Sequence, residues 1–180
     1  MTDPLSGPGK RSCRGCPNSD PVHYATPSGL GPSLMMDSTP STLDLQIVSR
    51  EIDSFVPPKV FDAHAHFYDA QHFTTPPGIC QSGPKACGLT AYRQHMAHLL
   101  PNRQLSGLFF ALPAADLDVG AANQFTLQEV RVDLRSRMQL MVTPRTACEV
   151  IEKHAADPKV VGLKVYHCFA DCESTFEASI

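Results

Sequence analysis

The chain should fold as an α/β protein whose sheet is parallel and assembled from successive βα units. Three observations predict this. Apolar runs of strand length recur at residues 60–67, 106–113, 137–143 and 160–168. The stretches between them place apolar residues at helical spacing and end on proline stops. Every interval between strands is long enough for a right-handed crossover, the connection that parallel strands require.

Residues 1–42 are rich in Pro, Gly and Ser and show no apolar periodicity. Such a tail cannot bury enough surface to offset its ordering entropy, so it is expected to be disordered. Its Cys13-Arg-Gly-Cys16 is a weak sign of zinc binding, because a lone pair lacks the second pair of a zinc knuckle. The plainer reading is an incidental part of a flexible segment.

The ordered domain is expected over residues 43–180. Leu43, Ile47, Val48, Ile52 and Phe55 follow a helical spacing, with Ser41 or Thr42 as N-cap and Pro57-Pro58 as the stop. The first strand, 60–67, leads into a long loop over about 68–88, of a length often tied to function. Residues 89–100 read as a helix stopped by Pro101. The continuous apolar run Ser106-Gly-Leu-Phe-Phe-Ala-Leu-Pro113 reads as a buried parallel strand. A helix over 118–135 takes its apolar stripe from Ala121, Phe125, Val130 and Leu134. After the third strand, Thr143-Pro144 supplies an N-cap and a first-position proline for a helix reaching about Ala156. Residues 160–168 are the fourth strand.

Composition narrows the function. The 180 residues are 42% hydrophobic and 18% charged, with a formal net charge of -3, which suits one modest domain. No basic run points to nucleic acid, and no apolar stretch approaches the ~20 residues of a membrane span. No apolar segment follows the N-terminal positive charges as it would in a secretory signal. The seven cysteines are scattered and odd in number, as in a cytoplasmic protein with reduced thiols. The expected partner is a small-molecule substrate.

The chemistry concentrates in Lys59-Val-Phe-Asp-Ala-His-Ala-His-Phe67. Strand alternation puts His64 and His66 on one face with Asp62 in phase behind them, and Phe61, Ala63, Ala65 and Phe67 on the other. Two imidazoles side by side on a rigid strand suit a divalent metal. In the fourth strand Val161, Leu163 and Val165 share one face, and Gly162, Lys164 and Tyr166 the other. An ammonium on a buried strand needs a partner, a shifted pKa or a modification. A carboxylate at the sheet edge is the plain alternative.

Together these residues resemble the amidohydrolase superfamily. Phe61-Asp-Ala-His-Ala-His66 matches its strand-one HxH motif, and Gly162-Leu-Lys-Val-Tyr-His167 matches its strand four. The likeness is greatest to the branch that also holds metal-dependent decarboxylases, and it spans residues 43–180. It implies the first half of a TIM-type (β/α)8 barrel with its site at the C-terminal strand ends. It further implies His64 and His66 as ligands of a divalent metal, zinc above all. Lys164 then has a catalytic part, carboxylated and bridging two metals in some branches and no ligand in others. The implied reaction is hydrolysis of a small carbonyl-containing substrate by a metal-activated water. The alternative within the superfamily is decarboxylation or another lyase reaction.

The resemblance leaves gaps. The superfamily's other ligands are histidines on strands five and six and an aspartate on strand eight, whereas this sequence stops after strand four. Residues 43–180 suit four βα units, and a TIM barrel needs about 250 residues. The expectation is therefore an N-terminal fragment of a longer enzyme. The competing class is non-catalytic: an inactive truncated product, or half of a barrel completed by a second chain as a homo-oligomer. His72 in the first loop, Tyr166 beside Lys164, and Asp171 after the fourth strand are expected substrate contacts, with Cys172 next to Asp171. His167, out of phase with Lys164, is expected to be structural, His95 and His98 to lie on a helix surface, and Cys168 to be a small buried hydrophobe. No phosphate-binding glycine loop or nucleophile elbow is present.

Overall fold

A computed structural model describes residues 40–169. Cys13, Cys16, Asp171, Cys172 and most of the expected disordered tail lie outside the described residues.

Helix α1 (Thr42–Ile47) opens on the expected cap. The Ser41 hydroxyl accepts from the Asp44 amide at 3.2 Å, and the Asp44 carboxylate accepts from the Ser41 amide at 2.8 Å. This reciprocal box satisfies two amide donors that a helix start leaves open. The helix runs on through a π-helical turn, Val48–Ile52.

Five strands form one sheet: β1 (Lys59–Asp69), β2 (Ala86–Cys87), β3 (Gln104–Ala111), β4 (Arg137–Met141) and β5 (Val160–Lys164), ordered β2-β1-β3-β4-β5. The four expected strands, β1, β3, β4 and β5, are parallel to one another. β2 corrects the sequence reading. The loop after β1 contains a short helix α2 (Gly78–Ser82) and then β2, which pairs antiparallel with Tyr68 and Asp69. A two-residue strand is too short to carry a period.

Helices α3 (Leu89–Leu99), α4 (Val119–Arg131) and α5 (Cys148–Ala155) are the crossovers. Leu89 and Tyr92 of α3, Leu127 and Val130 of α4 and Ile151 of α5 all join one apolar cluster with Ala65, Phe67, Phe109, Met138 and Leu140 of the sheet. The three helices therefore cover the same face. Phe67 and Phe109 stack at 4.1 Å between ring centroids in its middle. Each such fully buried side chain contributes roughly 1.5–3 kcal/mol. At the start of α3 the Glu129 carboxylate accepts from the Leu89 amide at 2.7 Å, reaching over Gly88, where a Cβ would lie 2.2 Å from it. A remote side chain thus caps a helix that has no cap of its own.

Three further expectations need correction. α4 ends at Arg131; of the stripe read from the sequence Val130 is buried and Phe125 packs against the core, but the buried set is otherwise Ala122, Asn123, Thr126 and Leu127, with Ala121 only half-buried. Leu134 lies beyond the helix and is 88% exposed. Thr143 caps a turn, accepting from the Arg145 amide at 3.2 Å, and α5 starts only at Cys148. β5 is the edge of the sheet, so Val161, Leu163 and Val165 are exposed instead of buried. Among the described residues no helix is long and apolar enough to cross a membrane.

Candidate functional site

The HxH segment departs from simple alternation. Asp62 is opposite Gly107 and Ala65 opposite Phe109, so three steps along β1 match two along β3. One extra residue makes a bulge at Ala63-His64 and inverts the phase. Before the bulge, Val60 packs on the helix-side cluster and Asp62 reaches Tyr92 of α3. After it, Ala65 and Phe67 enter that same cluster. The imidazoles of His64 and His66 thus share the opposite, open face with Phe61, while Asp62 lies on the helix side. The expectation that Asp62 stands in phase with the histidines is overturned, as is the outward position of Phe61.

On the open face three predicted residues, His64, His66 and Lys164, gather around Phe110, and Tyr166 lies beside two of them. The His64 and His66 rings lie 5.2 Å apart, and each meets the Phe110 ring edge-on at 4.7 Å. The Lys164 ammonium lies 4.6 Å from the Phe110 centroid and 5.4 Å from that of Tyr166. Tyr166 is 6.4 Å from His66. Lys164 is the last residue of β5 and Tyr166 follows it, while His66 pairs with Phe110 near the end of β3 and His64 lies midway along β1. The partners of Lys164 here are ring faces, an attraction of about 0.5–2 kcal/mol, and no carboxylate among the described residues pairs with it.

His66 is oriented by the neighbouring strand. Its Nδ1 lies 3.2 Å from the Ala111 carbonyl oxygen. A carbonyl can only accept, so Nδ1 carries the hydrogen and the neutral ring keeps its lone pair on Nε2. Burial lowers the His66 pKa, the Ala111 hydrogen bond opposes this, and the charges of His64 and Lys164 lower it further. The neutral imidazole is the form that ligates metal. Burial pushes the Tyr166 hydroxyl up, and its oxygen is buried without a protein partner.

The remaining candidates disperse. His72 packs edge-on against Phe125 of α4 at 5.8 Å, with its Nδ1 buried and unpartnered. Asp171 is outside the described residues. His95 and His98 are exposed on α3, as expected. Cys168 is exposed, not buried, because it follows the end of β5 and lines a cleft of about 290 Å³ with Leu117, Val119, Thr143, Arg145 and Phe169. Cys80, Cys87, Cys148 and Cys168 are free thiols.

Two contributors were invisible in the sequence. Tyr92 read only as part of a helix, yet its hydroxyl donates to Asp62 at 3.0 Å. Burial raises its pKa well above the usual phenol value, as do the hydrogen bond and charge of Asp62, so it remains a donor. Asn123 read as a polar helix residue, yet it is buried and bonded at both ends to the Met141 backbone.

As a donor set, His64 and His66 fit a divalent metal: two adjacent imidazoles, one with its tautomer fixed by a backbone carbonyl, as metal-bound histidines usually are. They fit as two members of a larger set. Among the described residues no group of three or more His, Cys, Asp or Glu side chains is placed to share an ion. No protein-family model, curated protein or solved structure matches the chain.

Proposed function

We propose that this chain carries the first-strand half of a metal-dependent hydrolase site of the amidohydrolase type, acting on a small carbonyl-containing substrate. One observation carries the reading: the paired imidazoles of His64 and His66 on the open face of a parallel sheet, with His66 Nε2 left free by the Ala111 contact. The strand order supports the half-barrel view. β1, β3, β4 and β5 are sequential neighbours and their crossover helices cover one face, as in the wall of a (β/α)8 barrel.

In this reading His64 and His66 hold a divalent ion, zinc by preference. When bound, such an ion supplies an acidified water and polarises a carbonyl. Lys164 sets a positive charge, or the anionic carbamate it forms on carboxylation, beside the pair. Tyr166 offers its unpartnered hydroxyl to the substrate carbonyl, and the ring of Phe110 keeps water from beneath the imidazoles. The further donors come from outside the described residues. A second reading, a non-catalytic chain that holds metal weakly, is favoured by the absence of a third donor among the described residues.

Metal content decides between them. Elemental analysis of the purified full chain should find stoichiometric zinc, manganese or iron, lost in His64→Ala and in His66→Ala. A metal-free wild type, or occupancy unchanged in both variants, overturns the site.

A further inference from the structure

Asp62 and Tyr92 lie on the side of the sheet opposite the imidazoles, yet they are tied to the bulge that turns His64. Asp62 Oδ1 accepts from the His64 backbone amide at 2.9 Å, and Asp62 Oδ2 accepts from the Tyr92 hydroxyl at 3.0 Å. The first bond closes a two-residue side-chain turn over Ala63, one of the two residues of the β1 bulge. A bulge leaves backbone groups out of the ladder, and this carboxylate satisfies one of them. The second bond anchors the carboxylate itself. Tyr92 is held in turn, 9% exposed, with its ring edge-on to Phe109 at 5.1 Å and to Phe67 at 6.5 Å.

A path of fixed groups therefore runs from the helix-layer core through Tyr92 and Asp62 to the backbone of His64. His64 needs it more than His66 does. His66 has its own ring contact to Ala111, whereas His64 is exposed and, among the described residues, the rings it meets are those of His66 and Phe110. Gly107 closes the arrangement from β3. A Cβ there would fall 2.8 Å from the Asp62 carbonyl oxygen, so the absence of a side chain lets the bulged strand sit close.

We propose that Tyr92, acting through Asp62, is a positioning residue for the metal pair: it fixes the bulge that holds His64 beside His66. This rests on the metal-binding reading above. The alternation of the sequence, unbroken, would put Asp62 on the open face with the histidines. The bulge instead removes a carboxylate from that face and converts it into a support from behind, as outer groups orient ligands at metal sites.

The test measures metal alone on the full chain. Zinc affinity is read by chelator competition and ligand geometry by the visible spectrum of bound cobalt(II). Tyr92→Phe keeps the edge-on ring contacts and removes only the hydroxyl. It should lower zinc affinity about tenfold, the lower end of the loss seen when outer-sphere partners are removed, and should change the cobalt spectrum. Asp62→Ala should do more, and Asp62→Asn, which can still accept from the His64 amide, should recover part of the loss. In a His64→Ala background, Tyr92→Phe should have no further effect on residual affinity. Wild-type affinity and spectrum in Tyr92→Phe would overturn the positioning role while leaving the metal site standing. An equal loss in the His64→Ala background would overturn it too, as a general structural effect. A wild type that binds no metal would instead remove the functional reading beneath it.

Discussion

The side-chain amide of Asn123 is bonded at both ends to the backbone of one residue, Met141: Nδ2 donates to its carbonyl at 2.8 Å and Oδ1 accepts from its amide at 2.9 Å. β3 pairs with β4 only at Leu108 and Phe109, so towards their C-terminal ends the two strands part. The next residue, Val142, donates to Lys164 on the β5 side, so Met141 turns its polar groups the other way. There Asn123 of α4 stands in for the missing strand. Met141 is also the register partner of Lys164.

Asn123→Leu should therefore cost about 2–6 kcal/mol, because it leaves both a buried amide and a buried carbonyl unmet at roughly 1–3 kcal/mol each. Urea denaturation should show this loss, and amide exchange at Met141 and Val142 should accelerate beyond that of β1. Wild-type stability in this variant would mean the two bonds are not made.

Gly107 is the second sensitive position. An added Cβ would meet the Asp62 carbonyl at 2.8 Å and the Phe109 ring at 3.1 Å. Backbone cannot swing aside as a flexible side chain does. Gly107→Ala should destabilise by about 1–3 kcal/mol through overpacking, even though alanine is otherwise the better strand residue. The thermal midpoint of the variant checks this, and no change would show that β1 can shift to admit a methyl.

His66 should make stability depend on pH. Burial first, then the charges of His64 and Lys164, hold its folded pKa below the ordinary 6.5, against the opposing Ala111 bond. Above pH 6.5 both folded and unfolded forms are neutral and the group exerts no pull. Below it the unfolded chain takes up a proton that the folded chain resists, so stability falls until the folded pKa is passed. His66→Gln should flatten the decline in denaturation midpoint just below pH 6.5. An identical slope in wild type and variant would place the effect elsewhere.

The sequence by itself determined the parallel α/β architecture and the open-face company of His66, Lys164 and Tyr166. Apolar runs separated by helical spacings admit few arrangements, and the period of two along β5 carries Gly162, Lys164 and Tyr166 to one side. What it could not decide was wherever the period breaks or a partner is remote. The bulge at Ala63-His64 is an offset against β3, and nothing in β1 alone marks which residue is extra. β2 is too short for a pattern, Glu129 caps α3 from another helix, and Asn123 completes a strand from α4. Each is a contact between residues distant in sequence, made only once the sheet and its helices have packed. The tertiary structure thus decided that Asp62 stands behind the histidines and not among them, because an extra residue in a strand reverses every side chain before it.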